Sequence, residues 1–141
     1  MRTYSDKLVI FSRGSALVAW MAAIFFFSSL PGSGVAYDPP LWYMFERKGA
    51  HVFEFAILMI LAFRFFRSLF GSHESWRRVA VLALAFAFMY GALDEVHQAF
   101  VFGRGSRLSD VGFDVLGAVL AFVMIRSIFS VPSLKEFKRM V

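Results

Sequence analysis

The sequence predicts an all-α membrane protein, a bundle of four transmembrane helices with both termini on the cytoplasmic side. Three observations carry this. The chain has 141 residues, of which 59% are hydrophobic and 19 are Phe, and its mean hydropathy is +0.64, an apolar excess over an ordinary soluble domain. The apolar residues lie in blocks, each long enough to cross a hydrocarbon core of about 30 Å at about 1.5 Å per helical residue. The basic residues are distributed unevenly between the loops those blocks define.

The first block is Ser15–Leu30 and only just reaches the required length. Arg2, Lys7 and Arg13 precede it and Gly34-Val35-Ala36 follows, a weak imitation of a secretory signal. Its apolar run is longer than a usual signal core and three more spans follow, so it is read as an uncleaved helix. The second block is His51–Phe70, the third Val79–Phe102, and the fourth Val111–Val131, with most charges at the ends. Residues 1–141 therefore form one transmembrane domain, without repeats or a low-complexity linker.

With the N-terminus inside, eleven of the 15 Lys and Arg fall in cytoplasmic segments, and only Arg47, Lys48, Arg104 and Arg107 fall outside. That is the positive-inside pattern. The net charge of +5 then follows from topology and contact with anionic lipid, and nucleic acid is not an expected partner. The absence of Cys excludes disulfides, thiolate catalysis and thiolate metal sites.

The acids behave differently. Asp38, Glu46, Glu54, Asp94, Glu95, Asp110 and Asp114, seven of the ten, fall on or near the outer side, and several lie within helices. Entering the second helix, Lys48, His51 and Glu54 are spaced three apart, so neighbouring pairs share a face. Leaving the third, Gly91, Asp94, His97 and Gln98 form one stripe with Glu95 beside it. Opening the fourth, Asp110, Asp114 and Gly117 form another. Gly91 and Gly117 would let backbones approach closely beside the acids. Ionisable groups at the edge of a membrane helix are expensive to desolvate and mark a functional site by default, so the three stripes are expected to face each other in the outer leaflet.

A blander reading is that these groups only satisfy one another: Lys48 with Glu54, Arg104 or Arg107 with Asp94, and Asp110 or Ser109 as a helix cap. For the whole set this is poor design, because pairing buried charges stabilises less than apolar packing. The phenylalanines at 25–27 and at 63, 65 and 66 are expected to face lipid, and Trp20 and Trp76 to serve as interfacial anchors or packing. His73 is expected in a solvated inner loop.

Four segments together resemble a family. These are Ser28-Ser29-Leu30-Pro31-Gly32, Lys48-x-x-His51-x-x-Glu54-Phe55, Asp94-Glu95-x-His97-Gln98-x-Phe100, and Gly103-Arg104 followed by Asp110-x-x-x-Asp114-x-x-Gly117. In this order and spacing, from about Trp20 to Val123, they resemble the VanZ-like family of small bacterial membrane proteins. It is named for a member associated with low-level resistance to the glycopeptide teicoplanin. The family usually has Asn where this chain has Asp114, and Pro-Gly-Arg where it has Phe102-Gly103-Arg104. The first departure adds a carboxylate to an acidic cluster, which favours a bound cation or keeps one acid protonated.

The resemblance implies a multi-pass protein of the bacterial inner membrane and, from the association with teicoplanin, a role at the envelope. Membrane lipids and a lipid-linked cell-wall intermediate are the expected partners. On the first reading of function, Glu95, Asp94 and His97, with His51, Glu54 and Asp110, supply acid/base chemistry. Lys48, Arg104 and Arg107, with Gln98, hold a phosphate-bearing head group. A variant of it places a divalent metal, zinc or manganese, on His51, Glu54, Asp94, His97, Asp110 and Asp114. The second reading is a binding or permeability protein without chemistry. A small transporter is the third, and would need an oligomer to build a path.

Overall fold

A computed structural model describes residues 3–31, 41–71, 73–104 and 108–130, with backbone alone for 41–47, 108 and 109. Among them are four α-helices and no strand: α1 (Tyr4–Ser29), α2 (Leu41–Phe70), α3 (Trp76–Gln98) and α4 (Leu108–Ser130). Three helices, Tyr4–Ser29, Trp76–Gln98 and Asp110–Ser130, are long and apolar enough to cross a membrane.

The helices differ from the apolar blocks at their ends. α1 starts eleven residues before Ser15 because Thr3 and Asp6 form a reciprocal cap: Asp6 N–H donates to Thr3 Oγ1 at 3.3 Å, and Thr3 N–H to Asp6 Oδ2 at 2.9 Å. α2 starts ten residues before His51, because the helix runs on through the charged run Glu46-Arg47-Lys48 at which the apolar block stops. α3 stops at Gln98, not Phe102, and the chain turns through Gly103, whose φ of 71° suits a residue without a Cβ. α4 begins at Leu108, so Asp110 stands inside the first turn, where a negative charge is favourable, and not at the cap.

α2 is the central element. It packs against all three others, most extensively on α4, while α1 and α4 do not touch among the described residues. The core is built from Phe55, Leu58, Met59 and Phe63 of α2, set against small residues of its neighbours. On α3 these are Ala80, Ala83, Ala87 and Gly91; on α4, Gly117, Ala118 and Ala121. Small side chains let backbones close in, the usual means of helix association where lipid is as apolar as leucine. The tightest point is Gly117, where an added Cβ would run into the carbonyl oxygen of Val52 and stand 2.8 Å from its carbon.

Phe25, Phe26 and Phe27 face outward as expected, but Phe63 is fully buried, and Phe65 and Phe66 pack against the core. Trp20 and Trp76 are packing residues: Trp20 Nε1 donates to the Glu54 carbonyl at 3.0 Å, and Trp76 stacks on Phe129. His73 is exposed.

Candidate functional site

The end of α1, the start of α2, the end of α3 and the start of α4 lie together, and there the bundle buries polar groups instead of apolar ones. The buried set is Ser28 on α1, Asp94, Glu95 and Gln98 on α3, and Asp114 on α4, each at most 4% exposed. His51, Glu54 and His97 are half-buried among them.

Asp114 and His51 form one unit. Asp114 Oδ1 lies 2.9 Å from His51 Nδ1, so the ionised carboxylate accepts the Nδ1 proton and leaves Nε2 to face other groups. The second carboxylate oxygen, Oδ2, has no hydrogen-bond partner among the described residues and rests against Gly91, where a Cβ would stand 3.2 Å away. Gly91 therefore makes the room that the Asp114 carboxylate occupies.

Asp94 organises a second unit. Its Oδ2 accepts from Ser28 Oγ at 2.7 Å and from Gln98 Nε2 at 2.6 Å, and the Gln98 amide also reaches Ser28 Oγ at 3.4 Å. This joins α1 to α3 through three buried side chains. A third unit pairs the next residue of α1, Ser29, with His97 of α3. Ser29 Oγ donates to the Phe25 carbonyl at 2.7 Å, so at the 3.0 Å contact with His97 the imidazole Nε2 is the donor. The His97 ring also stacks on Phe25, with centroids 4.3 Å apart.

Arg104 closes the end. Its Nε donates to the Leu30 carbonyl at 3.0 Å and a terminal nitrogen to the Phe27 carbonyl at 2.7 Å. Both carbonyls lie at the end of α1, where a cation is favoured by the helix dipole; that of Phe27 also takes the Leu30 N–H. Lys48 takes a different partner from the carboxylate the sequence suggested: its Nζ lies 4.5 Å from the centre of the Phe113 ring. Arg107 lies outside the described residues.

Between these units is a half-open cavity of about 100 Å³, lined by Phe27, Ser28, Ala50, His51, Glu54 and Arg104. Of the side chains the sequence singled out, His51, Glu54 and Arg104 meet there. Asp94 and Gln98 stand behind it through Ser28, Asp114 behind it through His51, and His97 on the α1–α3 seam. Glu95 is buried on α3, and Asp110 is half-buried in the first turn of α4. Among the described residues no three His, Asp or Glu side chains come together as a metal-ligand set. Of the six proposed ligands, His51 and Asp114 share one hydrogen-bonded unit, while Asp94 and His97 belong to two others.

Sequence reasoning gave Ser28 and Ser29 no part in the site, although both bond to its residues. The signal was present: two hydroxyls end an otherwise apolar helix at the level of the acids.

The arrangement belongs to a known family. Residues 14–130 match the family model described as VanZ/LLP1. This chain is a member of the VanZ-like family. Comparison with characterised proteins and with solved structures gives no match. The VanZ-like match covers α1 from Gly14 through the whole of α4, and so every residue of the cavity.

Proposed function

We propose that this VanZ-like protein is a multi-pass protein of the bacterial inner membrane that takes the head group of a lipid-linked envelope ligand. The pocket would lie in the extracytoplasmic leaflet. The observation that carries this is the cavity among Ser28, His51, Glu54 and Arg104, at the end of a bundle whose outward faces are apolar. A ligand that shares the bilayer with these helices reaches such a pocket from the side, and the cavity accepts a polar head and not a bulky ring system. The positive-inside pattern supports the orientation, and the association of the family's namesake with teicoplanin, a lipid-bearing drug, supports the envelope setting.

His51 gives the pocket an oriented imidazole. Asp114 fixes its tautomer, as the carboxylate does in hydrolytic triads, so Nε2 is placed to accept or deliver a proton at a bound ester or amide. The dyad assembled around the pocket is thus His51 with Asp114, and not His97 with Asp94 or Glu95. A second reading is capture of the ligand without turnover. The engagement of Arg104 by the α1 carbonyls favours it, because that guanidinium then serves the helix end.

Both readings are open to test. A photoreactive side chain at Ala50 should cross-link to a lipid head group, whereas one at Phe88, on the outward face of α3, should capture acyl chains only. Acyl-chain products from both positions would overturn head-group binding. Because the chain has no Cys, single cysteines at Phe100 and His73 report orientation cleanly: the first should label from outside intact cells and the second should not. The reverse pattern would move the pocket to the cytoplasmic face. If His51→Gln preserves binding and abolishes function, turnover is supported; if it preserves both, capture is.

A further inference from the structure

We propose that the group seated in the cavity is a primary ammonium, the terminus of an aminolipid head group. This rests on the head-group reading above and specifies its chemistry.

The polar atoms that α1 and α2 offer the cavity are acceptors. Ser28 spends its only proton on Asp94 and, beside the long contact from Gln98, retains one lone pair. In the neutral imidazole, His51 spends its proton on Asp114 and keeps Nε2 bare. Glu54 brings to the cavity a carboxylate to which no hydrogen bond is directed from the described residues; the Trp20 indole bonds its backbone carbonyl instead. Three acceptors on two walls match the three N–H donors of an ammonium, and do not match an ionised phosphate, which brings acceptors alone.

Charge agrees. Glu54 lines the cavity, Asp94 and Asp114 stand behind it through Ser28 and His51, and the cation on its wall is Arg104, whose Nε and one terminal nitrogen serve α1 carbonyls. A cation entering this end is drawn in, and an anion is resisted. Size agrees as well. A water's share of liquid volume is about 30 Å³, so a cavity of about 100 Å³ holds roughly three heavy atoms. An ammonium with two carbons behind it fits; a trimethylammonium is larger and has no N–H to donate. Arg104 at the same wall then offers its charge to an ester phosphate beyond the carbons, so a zwitterionic aminoethyl phosphate meets both signs in order.

The test is lipid retention by the detergent-purified chain, read by native mass spectrometry. The probes are phosphatidylethanolamine, phosphatidylcholine and phosphatidylglycerol with identical acyl chains. Phosphatidylethanolamine should be retained about tenfold over the other two, the scale of one charge-assisted hydrogen bond. Glu54→Gln should bring the three to near parity. Ala50→Leu, which leaves every charge in place and fills the cavity, should remove retention of all three. Equal retention of phosphatidylglycerol by the wild type, lost in Ala50→Leu, would overturn the ammonium while leaving head-group binding standing. No retention of any probe by a folded, monodisperse wild type would overturn both.

Discussion

The two ends of this bundle solve opposite problems with the same four helices. At one end, carboxylates and hydroxyls turn inward and bond between helices: Ser28 to Asp94, Ser29 to His97, His51 to Asp114. At the other, guanidiniums reach backbone carbonyls. Arg13 donates to the Arg64 carbonyl at 3.0 Å, and Arg67 to the carbonyls of Gly71 at 3.2 Å and Glu74 at 2.6 Å. Arg67 and the positive φ of Gly71 finish α2 as helix ends are commonly finished, and aromatic pairs such as Trp76–Phe129 fill the space beside them. At the first end a cavity is lined by the ionisable groups His51, Glu54 and Arg104. Arginine at helix ends accounts for itself as structure, whereas buried acids bonded to a histidine, a serine and an amide do not.

The sharpest way to break that contrast is at two glycines. Gly117→Val should cost more than about 3 kcal/mol, because the new side chain meets α2 backbone, which cannot turn aside. Gly14→Ala, at the other end, should be near neutral. Its Cβ would meet the Phe65 ring at 3.1 Å, and a small shift of that ring offsets the helical gain over glycine. Thermal unfolding in detergent measures both; equal losses would show that the site end is no more tightly set than its opposite.

Next in size is Asp94→Ala, which leaves the Ser28 hydroxyl and the Gln98 amide without their acceptor. It should destabilise by about 1–3 kcal/mol, with Asp94→Asn in between. Arg67→Ala should cost about 1 kcal/mol and leave lipid retention untouched, since its partners are carbonyls of its own helix end. The smallest effect belongs to the pair Arg78–Glu74, 3.7 Å apart with Arg78 79% exposed. Removing it should change stability by about 0.5 kcal/mol or less. A larger loss there would mean that this end, too, depends on charge.

Much of this was legible in the sequence. The four helices and their order follow from apolar blocks, and the convergence of three polar stripes from spacing. The close approach at Gly91 and Gly117 was signalled by small residues beside acids. What failed has physical causes. Phe63 was taken for lipid-facing because hydrocarbon and a protein core are equally apolar, so composition cannot say which way a phenylalanine turns. The start of α1 was missed because its first turns are held by the Thr3–Asp6 cap, a polar device that hydropathy does not register. The bonds of Arg104 to the Leu30 and Phe27 carbonyls are not legible, because a sequence does not display which carbonyls at the end of another helix a side chain will reach. The pairing of Asp114 with His51, and of Asp94 with Ser28, depends on rotations about helix axes that spacing leaves free.

The contact between Gly117 and Val52 has a consequence for how the cavity widens. It sets the distance between α4 and α2 by main chain alone, and His51, the residue before Val52, is anchored to α4 through Asp114. The wall of the cavity formed by α2 is thus a fixed jaw. The facing wall, Phe27 and Ser28 of α1, belongs to a helix with no contact to α4 among the described residues, held at this end by the hydrogen bond that Ser28 donates to Asp94 and by those from His97 and Arg104. Any widening of the gap between these walls therefore falls to α1, while the α2 wall keeps its place against α4.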